Sequence, residues 1–109
     1  MLANGKFSTT ITGSIYMSDL AYLKVIVHGR VQGVYFRAFV SQAAKALSLR
    51  GFVRNTRGGD VELEAEGDRA NIEELLSQLY IGPPKAIIKK MDITWSDYQG
   101  LYTSFDVRY

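Results

Sequence analysis

The sequence of 109 residues, 47% hydrophobic and 22% charged, suits one small domain with a packed core. Its formal net charge of +2 is too mild to imply nucleic acid, yet a slightly positive surface suits an anionic ligand. The absence of cysteine excludes disulfides, thiolate metal sites and a cysteine nucleophile, and a single histidine, His28, argues against serine–histidine or multi-histidine metal chemistry.

The opening residues, MLANGKFSTTITGSIYMSDL, are rich in Ser, Thr and Gly and lack the apolar stretch of a signal peptide. Residues 1–20 read as a disordered tail before a domain over residues 21–109, with Met17 as a candidate start. No stretch is long and apolar enough to cross a membrane, so a cytoplasmic protein without a membrane partner is expected.

From Tyr22 a regular pattern begins. Leu23, Val25 and Val27 alternate with Lys24, Ile26 and His28, predicting a strand with one strongly apolar face. Gly29-Arg30-Val31-Gln32-Gly33 breaks that strand. Phe36, Phe39, Val40, Ala43, Ala44 and Leu47 then form the stripe of an amphipathic helix, with Gly51 as its expected terminator. Phe52 to Asn55 predicts a second strand, and Thr56-Arg57-Gly58-Gly59 a hairpin turn. In the third strand Val61, Leu63 and Ala65 oppose Glu62, Glu64 and Glu66. Asp68 is placed to cap a second helix striped by Ile72, Leu75, Leu76 and Leu79, with Glu73 and Glu74 early enough to complement its dipole. Gly82-Pro83-Pro84 stops it. A fourth strand runs through Ile87, Met91, Ile93 and Trp95, and a short last one through Phe105, Val107 and Tyr109.

The order is β-α-β-β-α-β with an extra strand. Single apolar stripes on both helices predict that they cover one face of an antiparallel sheet, an α+β, ferredoxin-like two-layer sandwich.

The turn after strand one carries the chemistry. Two glycines let the backbone bend tightly and approach a ligand. The turn runs into a helix whose first amides have no intrahelical partners, which makes an anion site. Arg37 sits in that first turn, where its planar fork can grip two phosphate oxygens. Strand–helix–strand topology makes strands one and two parallel, so Asn55 is expected on the same sheet edge as this loop. Taken singly, each feature also fits a bland role: glycines for folding, Arg37 as a surface charge, Asn55 as turn chemistry.

Residues 27–37 contain Gly-x-Val-Gln-Gly-Val-x-Phe-Arg, and residues 51–67 read GFVRNTRGGDVELEAEG. Together, ungapped and in this order, they resemble the two motifs of the acylphosphatase family, a likeness running from about Tyr22 to Tyr109. The resemblance implies hydrolysis of an acyl phosphate to a carboxylate and inorganic phosphate, with no metal and no cofactor. It places the catalytic arginine on Arg37 and the catalytic asparagine on Asn55. The phosphate-binding loop then comprises Val31, Gln32, Gly33, Val34, Tyr35 and Phe36. The partners expected are a small acyl phosphate and inorganic phosphate, acting on a monomer without nucleic acid.

Other side chains have quieter readings. His28 is expected to be partly exposed and structural. The Glu62, Glu64, Glu66 row is spaced at about 6.5–7 Å, too wide for a compact metal site, and reads as a solvated sheet face. Lys89 and Lys90 are expected to pair with that acidic strand, and Arg54 and Arg57 either steer anions or serve solubility. Phe36, Phe39 and Trp95 read as core, Gln32 as a brace for the loop, and Tyr109 as packing on the sheet. The main rival is a nucleic-acid-binding module of the same topology, but its sheet face would need aromatics where these three glutamates stand.

Overall fold

Alternating burial begins at Leu20 in the computed structural model, which describes residues 19–109. The segment read as a tail, with Met17, lies outside the described residues up to position 18. Strand β1 (Leu20–Arg30) starts two residues ahead of the expected Tyr22 and buries Ala21, Leu23, Val25 and Val27. Asp19 supports that start, its carbonyl accepting from the Arg69 amide at 3.0 Å.

Helix α1 (Phe36–Ala46) buries Phe36, Val40, Ser41 and Ala44. Gly51 does not end it. Ser48 takes the left-handed position at φ 58°, with its amide on the Lys45 carbonyl at 3.0 Å and that of Leu49 on Ala44 at 2.9 Å. Gly51 lies inside strand β2 (Arg50–Asn55) at φ 148°, where a Cβ would collide with the Glu64 carbonyl of strand β3 (Val61–Asp68). That glycine serves close strand approach. Asp68 caps helix α2 (Arg69–Ile81) as expected, its Oδ1 accepting from the Ala70 amide at 2.9 Å, and Ile72, Leu75 and Leu79 are buried. Because α2 opens at Arg69, Glu73 and Glu74 fall beyond its first turn, which holds no acidic residue.

In strand β4 (Ile87–Asp97) the inward residues are Ile88, Met91, Ile93 and Trp95, whereas Ile87 is 54% exposed. A bulge explains the difference. His28 pairs with Lys90 and Gly29 with Ile88, so Lys89 is extra and inverts the alternation.

The strands, with β5 (Phe105–Arg108), form one sheet in the order β4-β1-β3-β2-β5. Neighbours are antiparallel except β2 and β5, which run parallel, so the sheet is mixed rather than wholly antiparallel. Both helices share one core with Leu23, Val25, Val53, Leu63 and Ala65, giving the ferredoxin-like α+β sandwich. Among the described residues, no helix is long and apolar enough to cross a membrane.

The opposite face overturns one expectation. Glu62 and Glu66 are 8% and 1% exposed, not solvated: the β4–β5 connection folds over Glu66, and Arg54 and Lys24 flank Glu62. Glu66 accepts from the amides of Gln99 (3.1 Å), Gly100 (3.1 Å) and Leu101 (2.7 Å). Glu64 accepts from the Tyr102 hydroxyl, and Glu62 is held by Arg54 Nε at 2.6 Å and Lys24 at 3.4 Å. Lys89 and Lys90 take no part, since β4 borders β1 and not β3. Lys90 lies 3.5 Å from Asp92 instead. Glu66→Gln replaces one accepting oxygen with a donor and strands at least one of these part-buried amides. It is expected to cost about 2 kcal/mol in urea unfolding, with acyl phosphate turnover retained.

Candidate active site

With β1 and β2 both antiparallel to β3, they run parallel to each other, and their C-terminal ends meet at one rim. Parallel β5 brings Tyr109 to the same rim. Between β1 and α1 the loop is pinned by its own side chains, with Val31, Val34 and Phe36 all buried. Burying these side chains leaves the main chain to line the surface. Gly33 (φ 72°) and Tyr35 (φ 62°) take left-handed conformations, the kind of backbone that can aim successive amides into one concavity. A Cβ on Gly33 would meet nothing within 4 Å, so the dihedral and not space calls for glycine there.

Tyr35 is the N-cap of α1, and the first helical bond runs from the Phe39 amide to the Tyr35 carbonyl at 3.0 Å. The amides of Phe36, Arg37 and Ala38 therefore have no helical acceptor. Among the described residues no side chain caps this end, and no acid occupies its first turn, so the positive pole is uncompensated.

Gln32 braces the loop as expected. Its Nε2 donates to the carbonyls of Thr56 (2.8 Å) and Asp60 (2.9 Å), tying the loop to the turn that follows Asn55. Arg37 and Asn55 line one cleft of about 340 Å³ together with Val31, Gly33, Tyr35 and Phe36. Of the expected loop residues, Gln32 and Val34 do not line it. Asn55 Oδ1 is buried and accepts no hydrogen bond among the described residues.

Tyr109 was missed as a cleft residue. It does not pack on the sheet: it is 99% exposed, with the Arg37 guanidinium 4.6 Å from its ring centre. Only the parallel pairing of β5 brings it there, and no local sequence signal predicts that pairing. Arg54 is committed to Glu62, which removes it as an anion guide, and Arg57 is exposed. Trp95 is half-buried under the Arg69 guanidinium at 4.4 Å.

His28 stands outside the cleft-lining residues, bridging Asp92 (Nε2, 2.7 Å) and Asp60 (Nδ1, 3.1 Å). The Asp92 hydrogen bond raises its pKa above the usual 6.5 against an opposing desolvation, and Asp60 adds to the rise. The same bond lowers that of Asp92 below 3.8. A raised histidine pKa stabilises the fold fully below 6.5 and loses that contribution as pH climbs through the folded value; the lowered Asp92 value acts in reverse under acid. Substituting His28→Gln is expected to flatten the decline of stability with rising pH above about 6.5, read as melting temperature across a pH series.

The sequence model of the acylphosphatase family matches residues 23–107. The chain belongs to the acylphosphatase family. An acylphosphatase of Anaeromyxobacter sp. is 43% identical over 93 residues, covering 85% of this chain and 100% of the relative. The acylphosphatase structure from Coxiella burnetii superposes with a TM-score of 0.79 at 38% identity, covering 85% of this chain and 97% of that one. That from Bacillus subtilis gives 0.78 at 34% identity, covering 83% and 99%. Membership in the acylphosphatase family makes the protein a hydrolase of acyl phosphates. The rival reading as a nucleic-acid module loses its sheet face, where Glu62 and Glu66 are buried and Glu64 is bonded to Tyr102.

Proposed function

We propose that Arg37 and the amides of residues 31–37 hold the phosphoryl group while Asn55 orients the attacking water, in a reaction needing neither metal nor general acid. The observation that carries this reading is the shared cleft. Arg37, Asn55 and the loop line it together, and the Asn55 Oδ1 has no partner among the described residues.

The chemistry follows from the leaving group. A carboxylate, whose acid has a pKa of about 4, departs without protonation. The water oxygen bonds to phosphorus and the acyl oxygen–phosphorus bond breaks, releasing a carboxylate. One water proton passes to a phosphoryl oxygen and the other stays on the attacking oxygen, so a dianionic acyl phosphate gives one carboxylate and one dihydrogen phosphate monoanion, with atoms and charge conserved. The protein then supplies positioning and charge stabilisation, the dominant demands of phosphoryl transfer. Asn55 cannot titrate as a base near neutrality, but its Oδ1 can accept a hydrogen bond from the water and so aim the oxygen lone pair in line.

Hydrolysis of benzoyl phosphate in chelator-treated buffer tests the reading. Turnover is expected to persist with chelator present and to be inhibited competitively by inorganic phosphate. Turnover that disappears with chelator and returns with added metal would overturn the metal-independent mechanism.

A further inference from the structure

We propose that the mouth of this cleft selects acyl phosphates whose acyl group is neutral and aromatic, with Tyr35 and Tyr109 as the residues that set the preference. The inference rests on the hydrolase reading above and deepens it by naming the substrate class.

The lining of the cleft is chemically mixed: beside Arg37, Asn55 and the loop residues Val31, Gly33 and Phe36 stand Tyr35, Ala38, Val107 and Tyr109. Its volume of about 340 Å³ falls in the small-molecule range of about 300–1,000 Å³, leaving room beyond a phosphoryl group. Tyr35 and Tyr109 are 85% and 99% exposed, so neither ring is spent on the core. They reach the cleft independently, one as the N-cap of α1 and the other following β5. Tyr35 also holds a left-handed conformation that Gly or Asn would adopt more easily, so backbone geometry is not what favours a tyrosine there.

The Tyr109 ring lies 4.6 Å from the Arg37 guanidinium. The acyl carbon is separated from phosphorus by a single oxygen, so any acyl substituent emerges within a few bond lengths of the group Arg37 grips. An aromatic acyl group there meets ring faces and edges, a contact that discriminates by up to about tenfold per ring. Arg37 is the only charged residue among the described residues lining the cleft, so a second carboxylate or phosphate on the acyl group would enter without a counter-charge.

The test compares kcat/KM for benzoyl, acetyl and succinyl phosphate in the unaltered protein, in Tyr109→Leu and in Tyr35→Asn. Asn preserves tolerance of the left-handed backbone. The benzoyl-to-acetyl ratio is expected to fall about fivefold to tenfold in each variant. The change in ratio is the readout because the substrates' intrinsic reactivities cancel between proteins. Succinyl phosphate is expected to be a poorer substrate than benzoyl phosphate throughout. An unchanged ratio, with both substrates losing equally, would mean that the tyrosines act only through Arg37 or the loop and would overturn the proposal. Succinyl phosphate outrunning benzoyl phosphate would overturn it as well. Absence of turnover on all three substrates in the unaltered protein would instead defeat the hydrolase reading on which it rests.

Discussion

Asn55→Ala is expected to lower kcat by about 10² or more while leaving inhibition by inorganic phosphate nearly unchanged. A hundredfold loss corresponds to about 2.7 kcal/mol of transition-state stabilisation, the scale of one preorganised hydrogen-bonding group. The split between kcat and phosphate affinity follows from where the charges lie. Arg37 and the loop amides, which carry the attraction for the anion, survive the substitution; only the group proposed to aim the water is lost. Because Asn55 Oδ1 has no partner among the described residues, its removal breaks no internal hydrogen bond through that atom. Urea unfolding should therefore show a small stability change beside the large kinetic one. An alanine variant with near-normal kcat would remove Asn55 from the mechanism.

Arg37→Lys is expected to reduce kcat/KM by about 10³ and to weaken phosphate inhibition in parallel, despite conserving the charge. The guanidinium offers a rigid fork that can bond two phosphoryl oxygens at once, whereas an ammonium acts as a compact point charge on a flexible stem. The fork is also pre-positioned. Arg37 lies in the first turn of α1 beside the amides that lack helical acceptors, and its guanidinium carbon is 4.6 Å from the Tyr109 ring centre. Lysine loses both the bidentate grip and much of that stacking. Steady-state kinetics with phosphate as competitor checks the expectation; a lysine variant within a few-fold of the parent would show that charge alone suffices.

The order of elements was legible because each has its own periodicity. The β1 alternation of Leu23, Val25 and Val27, the α2 stripe of Ile72, Leu75 and Leu79, and the Asp68 cap all depend on neighbours a few residues away. Readings failed where a distant partner set the outcome. Gly51 looks like a helix terminator until β3 is seen to pass against it, and Ile87 looks buried until the bulge opposite Gly29 turns Ile88 inward. The glutamate row reads as solvent-facing because nothing local announces that residues 99–101 will return to Glu66 with three amides.

By itself the sequence determined the helices, the apolar faces of β1 and β3 and the glycine turn after β1, along with the arginine and asparagine that line the cleft beside it. These are consequences of side-chain spacing and of glycine's backbone freedom, and act over a few residues. Only the tertiary structure decided that β5 joins the sheet parallel to β2, that the acidic face is covered, and that Tyr109 stands beside Arg37. Each of those is a pairing between segments far apart in the chain. Its free energy comes from surfaces that do not exist until the sheet has formed.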